Sequence, residues 1–409
     1  MNAVHIPANK PLRLNSAEFA ADRFAYYAYL REHLPVHRAR IMGVNLIVTS
    51  RYEDCLTVLK SDRFVRDRST ATGGSKMPFP IPIPKSLSFL ANSMIVTDDP
   101  EHRRLRSLVQ KAFAPKSLAS MTERVEQYCH ELLDTCLAAG QVDLQKDFAL
   151  PLPTRVISEM VGVDAEDMPT IQNCVRVLSE GLTGWAILRT VAWDLRKTTN
   201  FFRELIERKR KDPGDDLLSQ LVHAEEEGDK LSEDELVSML FLLIVAGFET
   251  TVHLVTNGVI ALLDHPQQME RLRTHPELMG SAVEEILRYA GPVHGTKMNY
   301  ALEDFELRGV TIYKGWPVMP LLGAANRDPR VFADPEVFDI ARDPNKHLAF
   351  SQGPHFCLGA FLARMEAKVA FTTLLERAQE IELAVPREQL KALAIPGWHR
   401  YQSLPVKLR

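Results

Sequence analysis

The sequence predicts a mainly α-helical protein with small β-sheets, the α+β class. From residue 99 to about residue 290 the chain reads as successive amphipathic helices. Short alternating segments bounded by turn residues lie nearer both ends and predict strands. No linker divides the chain, so we expect residues 1–409 to form one domain.

The individual elements follow from periodicity and from turn residues. Helices are expected at residues 17–31, 51–60, 101–113, 118–139, 152–161, 168–182, 186–211, 216–226 and 280–289. Strands are expected as a hairpin at residues 36–50, as short strands at 300–320 with turns at 308–309 and 314–315, and again at 381–409. Paired glycines and alternating prolines predict a long loop at residues 71–87, and residues 324–345 are expected to be irregular.

One helix is expected to be much longer than the others. Ser232 and Glu235 have the spacing of a capping box, and the run that they open continues to about Leu263. Its middle is apolar on most faces, which predicts a helix buried in the core.

Composition and charge exclude several classes of protein. The chain is 45% hydrophobic, carries a net charge of −4, and lacks the basic footprint of a nucleic-acid-binding protein. Its five cysteines are scattered and form no C-x-x-C pair, which is typical of a reducing compartment. Residues 1–15 hold no apolar run, and the longest apolar stretch, residues 239–247, is shorter than the ~20 residues that span a bilayer. We therefore expect a cytoplasmic protein with no membrane partner.

The most informative segment is the loop at residues 350–359, which holds Cys357 just before an amphipathic run to residue 377. The free N–H groups and partial positive charge of a helix N-terminus favour a thiolate, so a lowered cysteine pKa is expected. Gly353 and Gly359 allow the backbone to approach a large flat group. The further cysteines of a structural zinc site are absent from this loop. The alternative is an inert core cysteine at a helix start.

The loop resembles the haem-binding loop of the cytochrome P450 family, F-x-x-G-x-[HR]-x-C-x-G. Five positions match, and Ser351 replaces a glycine that is usual after the phenylalanine. The matching residues are Phe350, Gly353, His355, Cys357 and Gly359. The resemblance covers essentially the whole chain. It implies a long central helix over haem b with the cysteine loop beneath, Cys357 as the iron ligand, and Phe350, His355 and Gly359 as further cofactor-binding residues.

The long helix contains an acid beside a hydroxyl in an apolar setting, Glu249 and Thr250, preceded by Ala246 and Gly247. In the resembled family an A-G-x-[DE]-T stretch lies over the haem. The resemblance implies that Ala246 and Gly247 contact the cofactor, that Thr250 hydrogen-bonds the oxygen being activated, and that Glu249 relays protons. The alternative is that Thr250 bonds its own i−4 carbonyl and that Glu249 pairs with a distant Arg or Lys.

Two further patterns match structural and cofactor-binding stretches of the family. Glu285 and Arg288 stand at i and i+3 and resemble the structural E-x-x-R pair. Its third basic partner is expected to be Arg342, because Val337 stands where many members have arginine.

His102 and Arg106 share one helix face and resemble a D-P-x-x-H-x-x-x-R stretch that, with His355, binds the haem propionates. A further family arginine falls at Asn299, where Lys297 is the nearest cation. Which of the two replaces it stays open.

The substrate pocket implied by the resemblance is apolar, so we expect a hydrophobic small molecule. Core packing is an equal alternative for each candidate residue. The candidate lining residues are Phe79, Ile81, Leu87, Leu242, Val245, Val293, His294 and Trp398, and residues 177–185 are expected to form part of a lid.

The resemblance implies a haem-thiolate monooxygenase that inserts one oxygen atom from O2 by hydroxylation or epoxidation. The chain ends about 50 residues after Cys357, so we expect NAD(P)H-derived electrons to arrive from a separate ferredoxin and ferredoxin reductase. Arg103, Arg104, Lys111 and Arg364 are candidates for a basic docking patch.

We expect a monomer. The alternatives are a peroxide-driven peroxygenase, a non-catalytic haem or ligand-binding sensor or carrier, and a non-haem hydrolase using Cys357 and His355.

Overall fold

The computed structural model describes residues 4–74, 93–181, 195–223 and 231–409, and helices are numbered within these ranges. They are α1 (Ala17–Ala21), α2 (Arg23–His33), α3 (Tyr52–Lys60), α4 (Arg68–Thr72), α5 (Glu101–Gln110), α6 (Pro115–Ala119), α7 (Thr122–Ala139), α8 (Pro151–Val161), α9 (Met168–Gly181), α10 (Leu195–Lys211), α11 (Leu217–His223), α12 (Glu233–Asp264), α13 (Pro266–Thr274), α14 (Met279–Ala290), α15 (Leu322–Ala325) and α16 (Ala360–Arg377).

The strands in the described ranges are short and form three sheets. They are β1 (Leu12–Arg13), β2 (Val36–Ile41), β3 (Val44–Thr49), β4 (Phe64–Val65), β5 (Gln141–Asp143), β6 (Asn299–Ala301), β7 (Phe305–Leu307), β8 (Val310–Ile312), β9 (Pro317–Pro320), β10 (Ile381–Leu383) and β11 (Pro405–Leu408). The largest sheet has the order β1-β2-β3-β9-β6-β4, the second β10-β11-β5, and β7 pairs with β8. The α+β class is confirmed.

Helix α12 forms the centre of the helical core. Ser232 and Glu235 make the predicted capping box, with the Ser232 side chain accepting from the Glu235 N–H. The helix is long and apolar enough to cross a membrane by length and composition, but most of that apolar window is buried inside the protein, as in a core helix. Its apolar side chains pack in one large cluster with those of α7, α8, α14 and α16.

The hairpin at residues 36–50 is confirmed, and its turn has the positive φ angles of 46° at Met42 and 91° at Gly43. The single helix expected at residues 17–31 is wrong, because α1 ends and α2 begins at Asp22, which has a non-helical φ of −118° and ψ of 28°. Helix α13 was not predicted, although Pro266 in its first turn is a start signal.

Other predictions lie partly outside the described residues. Of the loop expected at residues 71–87, residues 71–72 end α4, which is capped by Gly73 at φ 69°, and residues 75–87 are not described. The helix expected at residues 186–211 is described from residue 195. The helix expected at residues 216–226 is described only as α11.

Candidate functional site

The cysteine loop is held by its own backbone. The Cys357 N–H donates to the Phe350 carbonyl at 2.9 Å, and the Phe356 N–H donates to the Gly353 carbonyl at 3.0 Å. Gly353 has a φ of 76°, and a Cβ at this position would stand 2.3 Å from the Leu59 carbonyl oxygen. Glycine is therefore required here by the approach of the Leu59 backbone. A Cβ at Gly359, the residue before α16, would meet open space.

Cys357 is accessible, unlike the other four cysteines, which are buried. Desolvation raises the pKa of its thiol, while the Gly359 N–H, Arg106 and Arg364 act in the opposite direction. The expected lowering of this pKa is wrong, because the cysteine lies in a recess where burial outweighs the donors. Within the described ranges no group of three or more His, Cys, Asp or Glu side chains is placed to hold a metal ion.

The hydroxyl of the acid–hydroxyl pair is bonded within α12. Thr250 Oγ1 donates to the Ala246 carbonyl at 2.8 Å, which is the i−4 bond weighed as the alternative. Ala246 is exposed although it lies in the middle of a core helix, so no described residue packs over its methyl group. A Cβ at Gly247 would stand 3.2 Å from Ile157 on α8. Gly247 therefore serves helix packing, which the sequence did not indicate.

Glu249 forms an ion pair with Arg400, the distant basic partner that the alternative required. The two side chains are only 12% and 7% exposed. The guanidinium of Arg400 also lies over the ring of Trp398, at 5.7 Å from its centroid. The pair thus ties the middle of α12 to the segment that precedes β11.

Nitrogen donors converge beside the cysteine loop. His102 and Arg106 lie one turn apart on α5, and the ring of His102 packs on that of His355 with centroids 4.2 Å apart. His102 Nδ1 lies 3.3 Å from the Asp99 carboxylate, and its buried Nε2 has no partner in the described part of the chain. Burial, followed by the charge of Arg66, lowers the pKa of His355 to about 3. The ring is therefore neutral at pH 7.

The contacts of Lys297 and Asn299 bear on which of them takes the place of the family's further propionate-binding arginine. Asn299 is buried, and its Nδ2 donates to the carbonyls of Lys297 and Val318, each at 3.4 Å. Lys297 is accessible, yet desolvation lowers the pKa of its ammonium, so it lies in a recess. Sequence reasoning missed a third residue, Arg66, whose Nη1 donates to the Lys297 carbonyl at 2.5 Å.

The Glu285–Arg288 pair is a fully buried hub. Both side chains are 0% exposed, with Arg288 Nε 2.7 Å from Glu285 Oε2. Arg342 Nε donates to both Glu285 oxygens at 3.2 Å, as expected for the third basic partner. Arg288 and Arg342 also donate to the Val337 carbonyl. Val337 therefore contributes its backbone carbonyl to the buried hub, and Arg342 provides the guanidinium that an arginine at position 337 provides in many family members.

The predicted pocket residues are placed unequally. Leu242 and Val245 are half-buried on α12, and Val293 forms an isolated β-bridge with Trp398. The prediction that His294 lines the pocket is wrong. Its side chain is 3% exposed in a packed cluster, and its Nδ1 lies 3.4 Å from the Tyr27 hydroxyl. The remaining three predicted pocket residues lie outside the described residues: Phe79, Ile81 and Leu87. The part of the expected lid beyond residue 181 also lies outside them.

A buried carboxyl that the sequence did not mark lies between the two central helices of the site. Glu366 on α16 is 1% exposed, and its carboxyl lies close to the side chain of Thr251, the neighbour of Thr250 on α12. Burial raises the pKa of Glu366 to about 8, and its Oε2 has no partner among the described residues. The contact holds the acid–hydroxyl part of α12 against the helix that follows Cys357.

Glu366 should make stability pH-dependent. Its folded pKa lies above the unfolded value of about 4.3, so the stability that it contributes is full below pH ~4.3 and lost as pH rises to about 8. Glu366→Gln should become more stable than wild type across this window, by up to about 1.4 kcal/mol per pH unit. Urea unfolding at successive pH values measures this. Glu376→Gln, at an exposed position on the same helix, is the control. Parallel pH profiles for Glu366→Gln and wild type would contradict the assignment.

Comparison with known proteins places this site in a family. The family model described as Cytochrome P450 matches residues 5–380. The polyketide biosynthesis cytochrome P450 PksS of Bacillus subtilis is 40% identical over 395 residues, with 96% of this chain and 97% of that protein covered. The 6-deoxyerythronolide B hydroxylase of Saccharopolyspora erythraea is 37% identical, with 97% and 98% covered.

Solved structures similar to this chain are also cytochrome P450s. The structure of PksS has a TM-score of 0.89 at 39% identity and covers 97% of this chain and 99% of that one. The myxobacterial cytochrome P450 CYP267B1, in complex with myristic acid, has a TM-score of 0.90 at 39% identity, with 97% and 98% covered.

Proposed function

The chain belongs to the cytochrome P450 family, and on that premise we propose that it inserts one oxygen atom from O2 into a hydrophobic small molecule by hydroxylation or epoxidation. It is a monooxygenase and therefore an oxidoreductase, and membership of the family implies a haem cofactor. The observation that carries the proposal is the accessible Cys357, the one cysteine not buried, at the end of a loop held in shape by Gly353.

The residues beside Cys357 fit a haem. The buried Nε2 of His102 lacks a partner among the described residues and is free to donate to a carboxylate. Gly359 presents no Cβ to the open space before α16, where a flat ring system needs clearance. Ala246 is exposed on α12 and presents only a methyl group there. We propose that Cys357 ligates the iron, and that His102, Arg106 and His355 hold the propionates.

When bound, the haem supplies the activation of O2, and the chain supplies protons, orientation and exclusion of water. Thr250 is proposed to hold a proton on Oγ1 for delivery to the reacting oxygen, in exchange for its bond to the Ala246 carbonyl. Glu249 is proposed to relay protons towards Thr250, which requires its carboxylate to leave Arg400, take up a proton from solvent and then pass it on. The apolar side chains of Leu242 and Val245 would keep bulk water from the reacting atoms.

Thr250→Ala should retain haem but uncouple NAD(P)H consumption from product formation, with hydrogen peroxide released instead. The reason is that an alanine methyl group cannot hold the delivered proton. Coupling is measured as product and peroxide per NAD(P)H consumed. Thr256→Ala is the matched control, because Thr256 makes the same kind of backbone bond, to Val252 at 3.1 Å, elsewhere on α12. Unchanged coupling in Thr250→Ala would remove Thr250 from proton delivery.

The substrate class is proposed from the half-buried apolar residues of α12 and the Val293–Trp398 bridge, together with the relatives. One relative is named for polyketide biosynthesis, and one solved structure contains myristic acid. We therefore expect a polyketide or a long-chain acyl compound. Titration with both classes, followed as a haem spin-state shift, tests this. A response only to small polar compounds would overturn the proposed class.

Electrons are proposed to come from NAD(P)H through a ferredoxin and its reductase in the cytoplasm, docking beside Cys357. The expected patch is less basic than predicted, because Arg364 pairs with Glu284, Arg103 with Asp99, and Arg104 with Glu101 and Glu235. The adjoining surface instead exposes two aromatic rings, those of Phe356 and Phe361.

Turnover with NAD(P)H, a ferredoxin and its reductase is therefore compared with turnover on hydrogen peroxide alone. Product from the reductase system supports the proposal. Product only with peroxide, or no product with either oxidant system from a substrate that shifts the spin state, would overturn it.

A further inference from the structure

A buried guanidinium that forms no ion pair with a described carboxylate lies close to the proposed haem-binding residues. Arg66, just beyond β4, is 7% exposed, and its Nε has no hydrogen-bond partner among the described residues. The nearby carboxylate of Asp98 accepts instead from the backbone N–H groups of Arg66 and Asp67, at 2.7 and 2.8 Å. Desolvation lowers the pKa of Arg66 to about 10, which reflects an expensive burial of charge.

A second cation shares the same recess. The ammonium of Lys297 is accessible, and its pKa is lowered by desolvation first and by the charge of Arg66 second. Arg66 donates to the Lys297 carbonyl, and its charge also acts on His355, which packs against His102. The two cations therefore lie on the side of the recess where His102 and His355 meet, and no described carboxylate forms an ion pair with either of them.

Strand register explains why Arg66 stands there. Strand β4 pairs antiparallel with β6, with Phe64 opposite Ala301 and Val65 opposite Tyr300. Continued by one residue, this register puts Arg66 opposite Asn299. Directly opposite residues on such a pair share a face, with Cβ atoms about 4.5–5.5 Å apart. The neutral amide of Asn299 is engaged within the sheet, so the charge on this face comes from the neighbouring strand.

We propose that Arg66, together with Lys297, binds one of the two haem carboxylates, while Arg106 with His102 and His355 binds the other. A guanidinium presents a fork of N–H donors that matches a carboxylate, and an incoming anion offsets the cost of burying the charge. Arg66 is thus a cofactor-binding residue contributed by the position that follows β4. The inference rests on the proposed function only in requiring a bound haem.

The test measures haem loss from the full-length holoprotein to excess apomyoglobin. Arg66→Gln should lose haem about 10-fold faster than wild type or more, and Arg66→Lys, which keeps the charge, should fall between them. Arg63→Gln is the control, because Arg63 is exposed and pairs with Glu303 on the surface. Its rate should equal that of wild type. Equal rates for Arg66→Gln and wild type would overturn the proposal.

Esterified haem separates carboxylate binding from a merely structural role. Haem dimethyl ester has no free carboxylate. Wild type, Arg66→Gln and Arg66→Lys should therefore release it at one common rate. A difference that persists with the ester would overturn the proposal and assign Arg66 to support of the Lys297 carbonyl. If Arg66→Gln does not fold, Arg66→Lys carries both comparisons. The ferrous–CO spectrum of wild type reports separately on the proposed function, because it depends on Cys357 and not on Arg66.

Discussion

Cys357→Ala is expected to abolish the thiolate-type haem spectrum and to reduce monooxygenase activity below detection. The other four cysteines are buried, so none of them is placed to substitute as a ligand. The measurement is the ferrous–CO difference spectrum, in which wild type should show the strongly red-shifted Soret band of a thiolate-ligated haem. The variant should show a band of another ligation type, or no haem at all.

Cys136→Ala is the control for loss of a thiol. Cys136 is 1% exposed on α7, and burial raises its pKa to about 11, so it is an inert core residue. Its variant should keep the red-shifted band. Persistence of that band in Cys357→Ala would refute Cys357 as the ligand. Absence of any haem band from wild type after haem-supplemented expression would refute the proposed function itself.

Arg288→Ala should destabilise the protein by roughly 3–5 kcal/mol, because it leaves the buried Glu285 carboxylate without its closest partner. The same guanidinium also donates to the carbonyls of Asn326, Pro335 and Val337, and so holds the irregular segment before the cysteine loop. The expected result is a large loss of folded holoprotein and a lower urea midpoint for what remains. Urea unfolding followed by circular dichroism and by haem absorbance measures both.

Arg271→Ala is the matched control, since Arg271 pairs with Asp339 at 3.2 Å with both side chains about two-fifths exposed. Such a surface pair contributes about 0–1 kcal/mol. A cost of similar size for Arg288→Ala would mean that the remaining partners of Glu285, which are Arg342, Asn345 and the Asp339 N–H, satisfy its carboxylate. In that case the hub would not depend on the i, i+3 pair.

Patterns local in sequence were predictable because their causes are local. The Ser232–Glu235 capping box and the Met42–Gly43 turn depend on residues a few positions apart. The family followed from five matching positions in ten residues around Cys357, a spacing that is specific because a thiolate, tight turns and a helix start must coincide. The comparisons confirm that assignment.

The direction of the shift in the Cys357 pKa was predicted incorrectly, because its main cause is not local in sequence. The helix start and its N–H groups are visible in the sequence, but the desolvation that opposes them comes from the surrounding fold. His294 is a similar case, because its packing against Tyr27 requires contact with the N-terminal helices.

The sequence by itself determined the fold class, the family, the long capped helix and the loop that carries Cys357. Only the tertiary structure decided which partners the charged side chains have. Glu249 pairs with Arg400, 151 residues away, and Arg66 donates to the Lys297 carbonyl, 231 residues away. It also decided that Glu366 is buried against Thr251. Such pairings depend on strand register, helix packing and desolvation, which arise between segments and leave no periodic pattern in either one.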